Sequence, residues 1–255
     1  MHVLKPNPTL DKACRFLGSV RGTDKVLMLI QYVSKILVWH LQRTGLGAAN
    51  SGARAALITR ILNFAGPVSD TRILLRYSGL IPLLQWTLQS EAAPSTSARS
   101  QFLVRAQNLC NFIYYPLEHT YWLALHNVIP VSPKNRDRIG IWSCRFWAAY
   151  VVLYFAQLYD DHLNLKQREK ALLNRKIKVG GDDGSEAPHV SDVLAQVQAL
   201  KDERKALTIN SIINAAYFPL TVHWSLERSS FPDVGVGICG TIAAVAQFYT
   251  AWKAA

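Results

Sequence analysis

Three glycines in the stretch DVGVGICGTIAAVAQFYTAWKAA, spaced Gly235-x-Gly237-x-x-Gly240, spell the turn that brings backbone N–H groups against a dinucleotide pyrophosphate. That chemistry needs a preceding strand, a following helix and an acidic residue about 20 positions on to hold a ribose. No Asp or Glu follows Asp233, so these glycines do not read as a nucleotide site. Tyr159-Asp160-Asp161-His162 offers metal-ligand chemistry, but adjacent helical residues point about 100° apart and cannot converge on one ion; a solvated helix end is expected. Glu118, His119 and His126 in EHTYWLALH place the two histidines seven residues apart. A zinc helix spaces its histidines four apart with the glutamate between them, so His119 and His126 read as hydrogen-bonded packing residues. Cys14, Cys110, Cys144 and Cys239 have no metal spacing and read as reduced, buried thiols. There is no P-loop, no Ser-His-Asp or Cys-His order and no pair of carboxylates flanking a cleft. The sequence names no catalytic residue, no metal ligand and no cofactor site, and it does not describe an enzyme.

The elements that carry these residues are set by composition. Half of the 255 residues are hydrophobic and 18% are charged, against a usual figure near 25%. Twenty-eight Lys and Arg face 17 Asp and Glu, a formal charge of +11. Such an excess attracts either nucleic acid or an anionic membrane face. Long uncharged stretches and the absence of any DNA- or RNA-binding motif decide against nucleic acid. The N-terminal stretch carries Asp11 and no long apolar core, so a secretory signal is not expected. Lys-Ala-Ala at the C-terminus does not match the peroxisomal matrix address Ser-Lys-Leu.

Strand alternation is nearly absent, and the fold class is all-α, with flexible loops expected at 90–100 and 179–188. From 24 to 42, Val26, Leu29, Ile30, Val33, Leu37 and Leu41 share one helical face. From 54 to 64, Leu57, Ile58, Ile61 and Leu62 form a stripe opposite Thr59, Arg60 and Asn63. After Gly66-Pro67 a new helix is expected, capped by Ser69 or Asp70, with Ile73, Tyr77, Leu80 and Leu84 aligned and Pro82 kinking or ending it. Basic residues beside broad apolar faces suit an interfacial membrane helix, and equally helices packed in a bundle. Segments 140–159, 206–226 and 234–252 are each long enough to cross a bilayer, the first with only Arg145 charged and the second weakened by Asn210, Asn214, Pro219 and His223. Keeping both strongly basic regions on the cytosolic side leaves 140–159 interfacial or packed and makes the last two segments a hairpin around 227–233. Residues 1–130 are thus expected to form an amphipathic, cytosol-facing region and 131–255 the membrane anchor.

Four blocks together resemble the peroxisomal biogenesis factor 11 family (peroxisomal membrane protein 11), and within it the gamma or C-like branch. FLGSVRGTDKVLMLIQYVSKIL at 16–37 is similar to its Arg-Gly-x-Asp-Lys helix, and VSDTRILLRYSG at 68–79 to its Leu-Ser-x-x-Arg-x-x-Leu-Arg segment. YYPLEHTYW at 114–122 resembles Tyr-Tyr-Pro-x-Glu-His-x-x-Trp, and FPDVGVGICGTIAAVAQFY at 231–249 the Phe-Pro…Gly-x-x-Gly-Thr-Ile ending. The resemblance implies an integral peroxisomal membrane protein that helps elongate, multiply and divide peroxisomes. It further implies bilayer remodelling, self-association as a homo-oligomer or with paralogues, recruitment of a dynamin-related GTPase and its tail-anchored fission adaptor, and cytosolic termini. Ile73, Tyr77 and Ser78 depart from the better-known members, whose second block is more basic.

On this reading Leu57, Ile58, Ile61, Leu62, Ile73, Tyr77 and Leu80 insert among the peroxisomal membrane lipids, with Arg54, Arg60, Arg72 and Arg76 at lipid phosphates. Lys166, Arg168, Lys170, Arg175, Lys176 and Lys178 form a basic patch for targeting or anionic lipid. Gly237, Gly240, Thr241 and Ala244 present a small-residue face for helix contact and self-association. The alternative is a small-solute channel or transporter of the peroxisomal membrane, lined by polar side chains such as Arg145, Asn210, Asn214 and His223. No cofactor is expected on either reading.

Overall fold

A computed structural model describes residues 7–44, 51–92, 97–179 and 190–255, the side chains of 51, 175–179, 190 and 191 excepted. Among the described residues there are eight helices and no strand: α1 (Pro8–Gly18), α2 (Val20–Arg43), α3 (Ser51–Tyr77), α4 (Leu80–Ala92), α5 (Ala98–Leu125), α6 (Pro133–Val179), α7 (Val190–Ser225) and α8 (Asp233–Ala254). Local chemistry sets several of their ends. Asn7 accepts from the Thr9 and Leu10 amides with Pro8 opening α1, and Ser19 accepts from the Gly22 amide to start α2. Ser97 caps α5 in the same way, and α5 gives way to a turn in which Asn127 takes a left-handed φ of 56°.

The helices close a ring. α2 packs between α3 and α8, α8 against α7, α7 against α6, α6 against α5, and α5 touches α3 again. Paired contacts show these neighbours to be antiparallel. Along α2 and α8, Lys35 meets Asp233, Ile36 lies against Gly237 and Tyr32 against Gly240; Tyr121 lies against Gly140 while Arg99 meets Asp160. Arg145 reaches the Ser225 carbonyl while Arg168 meets Glu203. Met28 and Tyr32 of α2, Ala216 and Leu220 of α7 and Val236, Ala243 and Ala244 of α8 form the buried centre, flanked by Trp147, Tyr217 and Trp224.

The chain departs from the sequence reading around α3 and α4: the helix expected to carry Ile73, Tyr77, Leu80 and Leu84 as far as Pro82 ends at Tyr77, and Leu80, Pro82 and Leu84 belong to α4. α3 runs unbroken through Gly66-Pro67, and Ser69 and Asp70, expected as caps, sit inside it and bond to other helices. Proline at this point removes one intrahelical bond, which contacts from α2 and α5 offset. The loop expected at 90–100 is helical at both ends, in α4 up to Ala92 and in α5 from Ala98, and 93–96 lie outside the described residues. Apart from Val179, which ends α6, the loop expected at 179–188 also lies outside them. The boundary near 130 falls in the turn between α5 and α6, and helices of the two regions pack on each other, α2 on α8 and α5 on α6.

Two helices among the described residues are long and apolar enough to cross a membrane, within Pro133–Asn174 and Asp233–Ala254. The segment 140–159, which lies in the first of these, therefore joins α8 as a candidate span, where the preferred topology of the sequence reading left it interfacial or packed. Segment 206–226, the second half of α7, falls below that measure; Asn210, Asn214, Pro219 and His223 dilute it.

Candidate functional site

Arg72 and Arg76 stand one turn apart on α3, so they share a face, and that face turns inward. Arg72 is 7% exposed; its Nε donates to Asp24 Oδ1 of α2 at 2.9 Å and its Nη1 to Gln31 Oε1 at 2.5 Å. Lys25 Nζ takes the other Asp24 oxygen at 2.6 Å. Arg76 grips Glu118 of α5 through two bonds of 2.7 Å, and the Tyr114 hydroxyl donates to the same carboxylate. Tyr77 stacks on His119 with ring centroids 3.7 Å apart and donates to the His119 carbonyl. Nearer the start of this face, Asp70 accepts from Trp122 Nε1 at 2.6 Å and pairs with His126 Nε2 at 3.0 Å, and Ser69 accepts from Gln31. The second half of α3 is therefore a strip of charge bolted between α2 and α5. Buried pairs of this kind are costly to break, because the remaining partner keeps its charge without its counterion.

This geometry corrects part of the expected membrane-contacting set. Arg72 and Arg76 are not at a lipid-facing surface; they are engaged by Asp24 and Glu118. Tyr77 packs on His119, and Ile73 and Leu80 are half-buried. The misreading has a physical cause: Asp24 and Glu118 lie 48 and 42 residues away from their arginines, beyond the reach of any helical period.

The first half of α3 is different. Leu57, Leu62 and Phe64 are exposed, Ile58, Ile61 and Arg54 are half-buried, and Arg60 is exposed. α4 buries no residue and leaves Ile81 78% exposed, together with Leu84, Trp86 and Leu88. Its far end is tied to α5 by Arg105, whose donated hydrogen bonds and positive charge hold the Glu91 carboxyl below its ordinary range. Of this apolar surface, Phe64, Ile81, Trp86 and Leu88 fall outside the helical stripes read from the sequence, although the run of Leu80 to Leu88 carries three of them openly.

The small-residue face of α8 is occupied within the chain. A Cβ on Gly240 would overlap the Tyr32 ring, and one on Gly237 would lie 2.9 Å from Ile36 Cγ1 and 3.2 Å from the Tyr32 carbonyl oxygen. Ala244 is fully buried, and Thr241 Oγ1 is buried without a hydrogen-bond partner. Gly237, Gly240 and Ala244 thus admit α2 rather than a second copy, and self-association through this face is not open in this fold. The glycines serve close approach of two backbones, as the spacing suggested, but the partner helix is internal.

The basic run lies where α6 and α7 continue past the α8 end as a helical hairpin. Arg168 meets Glu203 and Arg204 meets Glu169, and the hydrogen bond to Glu203 raises the Arg168 pKa further. Lys166 and Lys170 are exposed. The side chains of Arg175, Lys176 and Lys178 lie outside the described residues. Asp160 and Asp161 fall in mid-helix rather than at a helix end, with Asp160 paired to Arg99. The polar residues considered for a channel are engaged locally: Arg145 on the Ser225 carbonyl, Asn214 on the Asn210 carbonyl and His223 with Ser229. No group of three or more His, Cys, Asp or Glu able to hold a metal occurs among the described residues.

The chain matches the family described as peroxisomal biogenesis factor 11 over residues 10–252. It is 25% identical over 244 residues to human peroxisomal membrane protein 11C, covering 93% of this chain and 92% of the human one. Peroxisomal membrane protein 11B of Arabidopsis thaliana is 21% identical over 250 residues, covering 96% and 97%. An uncharacterized protein of Schizosaccharomyces pombe is 22% identical over 232 residues, covering 91% and 88%. No solved structure matches the chain.

Proposed function

The chain belongs to the peroxisomal biogenesis factor 11 family, and from that premise we propose that it elongates and divides peroxisomes by remodelling their membrane. At the coarser level, family membership supports a peroxisomal membrane protein of peroxisome biogenesis and proliferation. The observation that carries the finer reading is the uncovered apolar surface of the first half of α3, where Leu57, Leu62 and Phe64 stand exposed beside Arg54 and Arg60.

An apolar helix face with cations at its margin enters the boundary between headgroups and acyl chains. Insertion on one side only expands that leaflet relative to the other and favours curvature. The second half of α3, pinned through Arg72–Asp24 and Arg76–Glu118, fixes the wedge to the membrane-embedded body, so that its insertion is transmitted rather than dissipated. We further propose that both termini and the basic hairpin face the cytosol, within reach of the fission adaptor and the dynamin-related GTPase. Association with other copies or with paralogues would then use a surface other than the α2-covered face of α8.

The test is overproduction of the wild type and of a Leu57→Asp, Leu62→Asp, Phe64→Asp variant, with peroxisome number and length read by microscopy. Wild type is expected to give elongated and then more numerous peroxisomes, and the variant to reach the membrane without changing them. A targeted variant that remodels as wild type does would overturn the wedge; no effect of either protein would overturn remodelling itself.

A further inference from the structure

Hydropathy singles out α6 and α8 because it averages around the whole circumference of a helix, whereas lipid meets only the outward face. On α5 the polar residues turn inward: Gln107 at 6% exposed bonds Gln157, Asn108 bonds Ser90, and Glu118 holds Arg76. On α7, Asn214 and Thr221 are buried and bond to carbonyls of their own helix. Outward the same two helices show Leu109 at 60%, Phe112, Ile212 and Phe218, as α6 shows Val152 and α8 shows Val245.

The uncharged bands of the four helices overlap, staggered along the helix axes. α7 carries no charged residue between Lys205 and Glu227, and α8 none between Asp233 and Lys253. Counting Asp, Glu, Lys and Arg, α5 has only the buried Glu118 between Arg105 and its end at Leu125, and α6 only Arg145 between Arg138 and Asp160. At 1.5 Å per residue each band is about 30 Å tall, the thickness of a bilayer core. The α7 and α8 bands end together where Lys205 bonds Tyr249, whereas Arg145, inside the α6 band, reaches the Ser225 carbonyl at the end of the α7 band, so the α6 band is set roughly 10 Å towards the turns at 126–132 and 226–232. Arg145 lies 4.9 Å over the exposed Trp142, an arrangement that suits the interface, and Tyr159 stands exposed at the opposite end of the α6 band.

We propose that α5 and α7 cross the bilayer together with α6 and α8, their outward faces forming one continuous wall against lipid acyl chains. The proposal rests on the reading of the chain as an integral membrane protein. A second protein copy would cover one patch of such a wall; outward apolar side chains on four neighbouring helices, with the long side chains of Arg105 and Arg145 able to reach the edges, match a lipid slab. Crossing by all four puts the α6–α7 hairpin and the C-terminus on one side and the turns at 126–132 and 226–232 on the other.

Single cysteines test this in isolated peroxisomes, on a chain whose Cys14, Cys110, Cys144 and Cys239 are replaced by Ala and which still pellets after alkaline carbonate. The reagent is a sulfonated, membrane-impermeant maleimide, applied to intact organelles, after digitonin, and after SDS. Leu109→Cys and Ile212→Cys are expected to stay unlabelled until SDS, like Val152→Cys and Val245→Cys. Leu194→Cys on the hairpin and Val128→Cys in the turn are expected to label in aqueous conditions from opposite sides. Phe112→Cys and Val222→Cys replace any of the first pair that fails to accumulate. Labelling of the α5 and α7 positions before SDS, with those of α6 and α8 protected, overturns the four-helix wall but leaves the membrane reading standing. Labelling of all four groups, or release of the parent chain by carbonate, overturns both. Labelling of Leu194→Cys and Val128→Cys from the same side also overturns the wall.

Discussion

The Arg76–Glu118 pair illustrates how individual residues hold this molecule together. Glu118 is 9% exposed and receives two bonds from Arg76 and one from the Tyr114 hydroxyl, so removing the arginine strands a carboxylate that has little access to water. Arg76→Ala is expected to cost roughly 3–5 kcal/mol, read as a fall in Tm of the detergent-solubilised protein. Replacing the whole set by apolar residues of similar size, Arg76→Met with Glu118→Leu and Tyr114→Phe, should restore most of that loss, since no buried charge is then left unpaired. If Arg76→Ala and the triple variant melt together near wild type, the pair is not a lock. Gly240 acts through space rather than charge. A methyl there would overlap the Tyr32 ring, so Gly240→Ala should destabilise by about 1–3 kcal/mol, and Tyr32→Ala should relieve part of the overlap. Equal penalties for Gly240→Ala in the wild-type and Tyr32→Ala backgrounds would show that α2 does not press on this glycine.

α3 is one helix with two environments, and substitutions should separate them. Asp at Leu57, Leu62 and Phe64 meets solvent or lipid headgroups and should leave Tm in detergent nearly unchanged, whereas Val68→Asp buries a charge at a site 7% exposed and should lower Tm sharply. A similar fall for both would mean that the first half of α3 is also packed. The ion pairs of the α6–α7 hairpin lie near the surface, so swapping Arg168→Glu with Glu203→Arg should recover a loss of only about 0.2–1 kcal/mol. How much of this was legible differs between elements. The helix of α2 was readable from the period of Val26, Leu29, Ile30, Val33 and Leu37, but its buried face was not: Leu37 is exposed and Met28, Tyr32, Ser34 and Val38 are buried, because α3 and α8 both pack on α2. The continuity of α3 through Pro67 was not readable, because tertiary contacts at Ser69 and Asp70 override the local signal to stop. The inward turn of Arg72 and Arg76 was equally hidden: a cation beside an apolar stripe has the same pattern at a lipid surface as in a buried pair. The small face of α8 was legible as a contact surface, but sequence spacing does not say which helix fills it.

At the scale of the molecule, the antiparallel ring ties the position of the wedge to the direction of α8. Arg15 meets the carbonyl of Ala255, so the N-terminal helix, the C-terminus and the α6–α7 hairpin gather at one end, while Lys35 meets Asp233 at the other. Ser69 pairs with Gln31, placing the first half of α3 beyond that second end. If α8 crosses the bilayer, termini and wedge lie on opposite sides, and the expectation that both face the cytosol cannot hold as a whole. Lys166, Arg168, Lys170, Arg175, Lys176 and Lys178 decide the direction, because basic segments flanking membrane helices remain cytosolic. On that proposed orientation the hairpin and termini face the cytosol, and residues 54–64 would act on the lumenal leaflet. Expanding that leaflet favours bending towards the lumen, as along the axis of a constriction, and opposes the outward curvature of a tubule, so this orientation would support division rather than elongation. Trypsin separates the two orientations without any substitution. On intact peroxisomes it should cut within the basic hairpin and leave Arg54 and Arg60 untouched; permeabilisation should expose both. Cleavage at Arg54 and Arg60 in intact organelles with the hairpin protected would reverse the orientation and place the wedge in the cytosolic leaflet, while cleavage of both regions before permeabilisation would mean that α8 does not separate them.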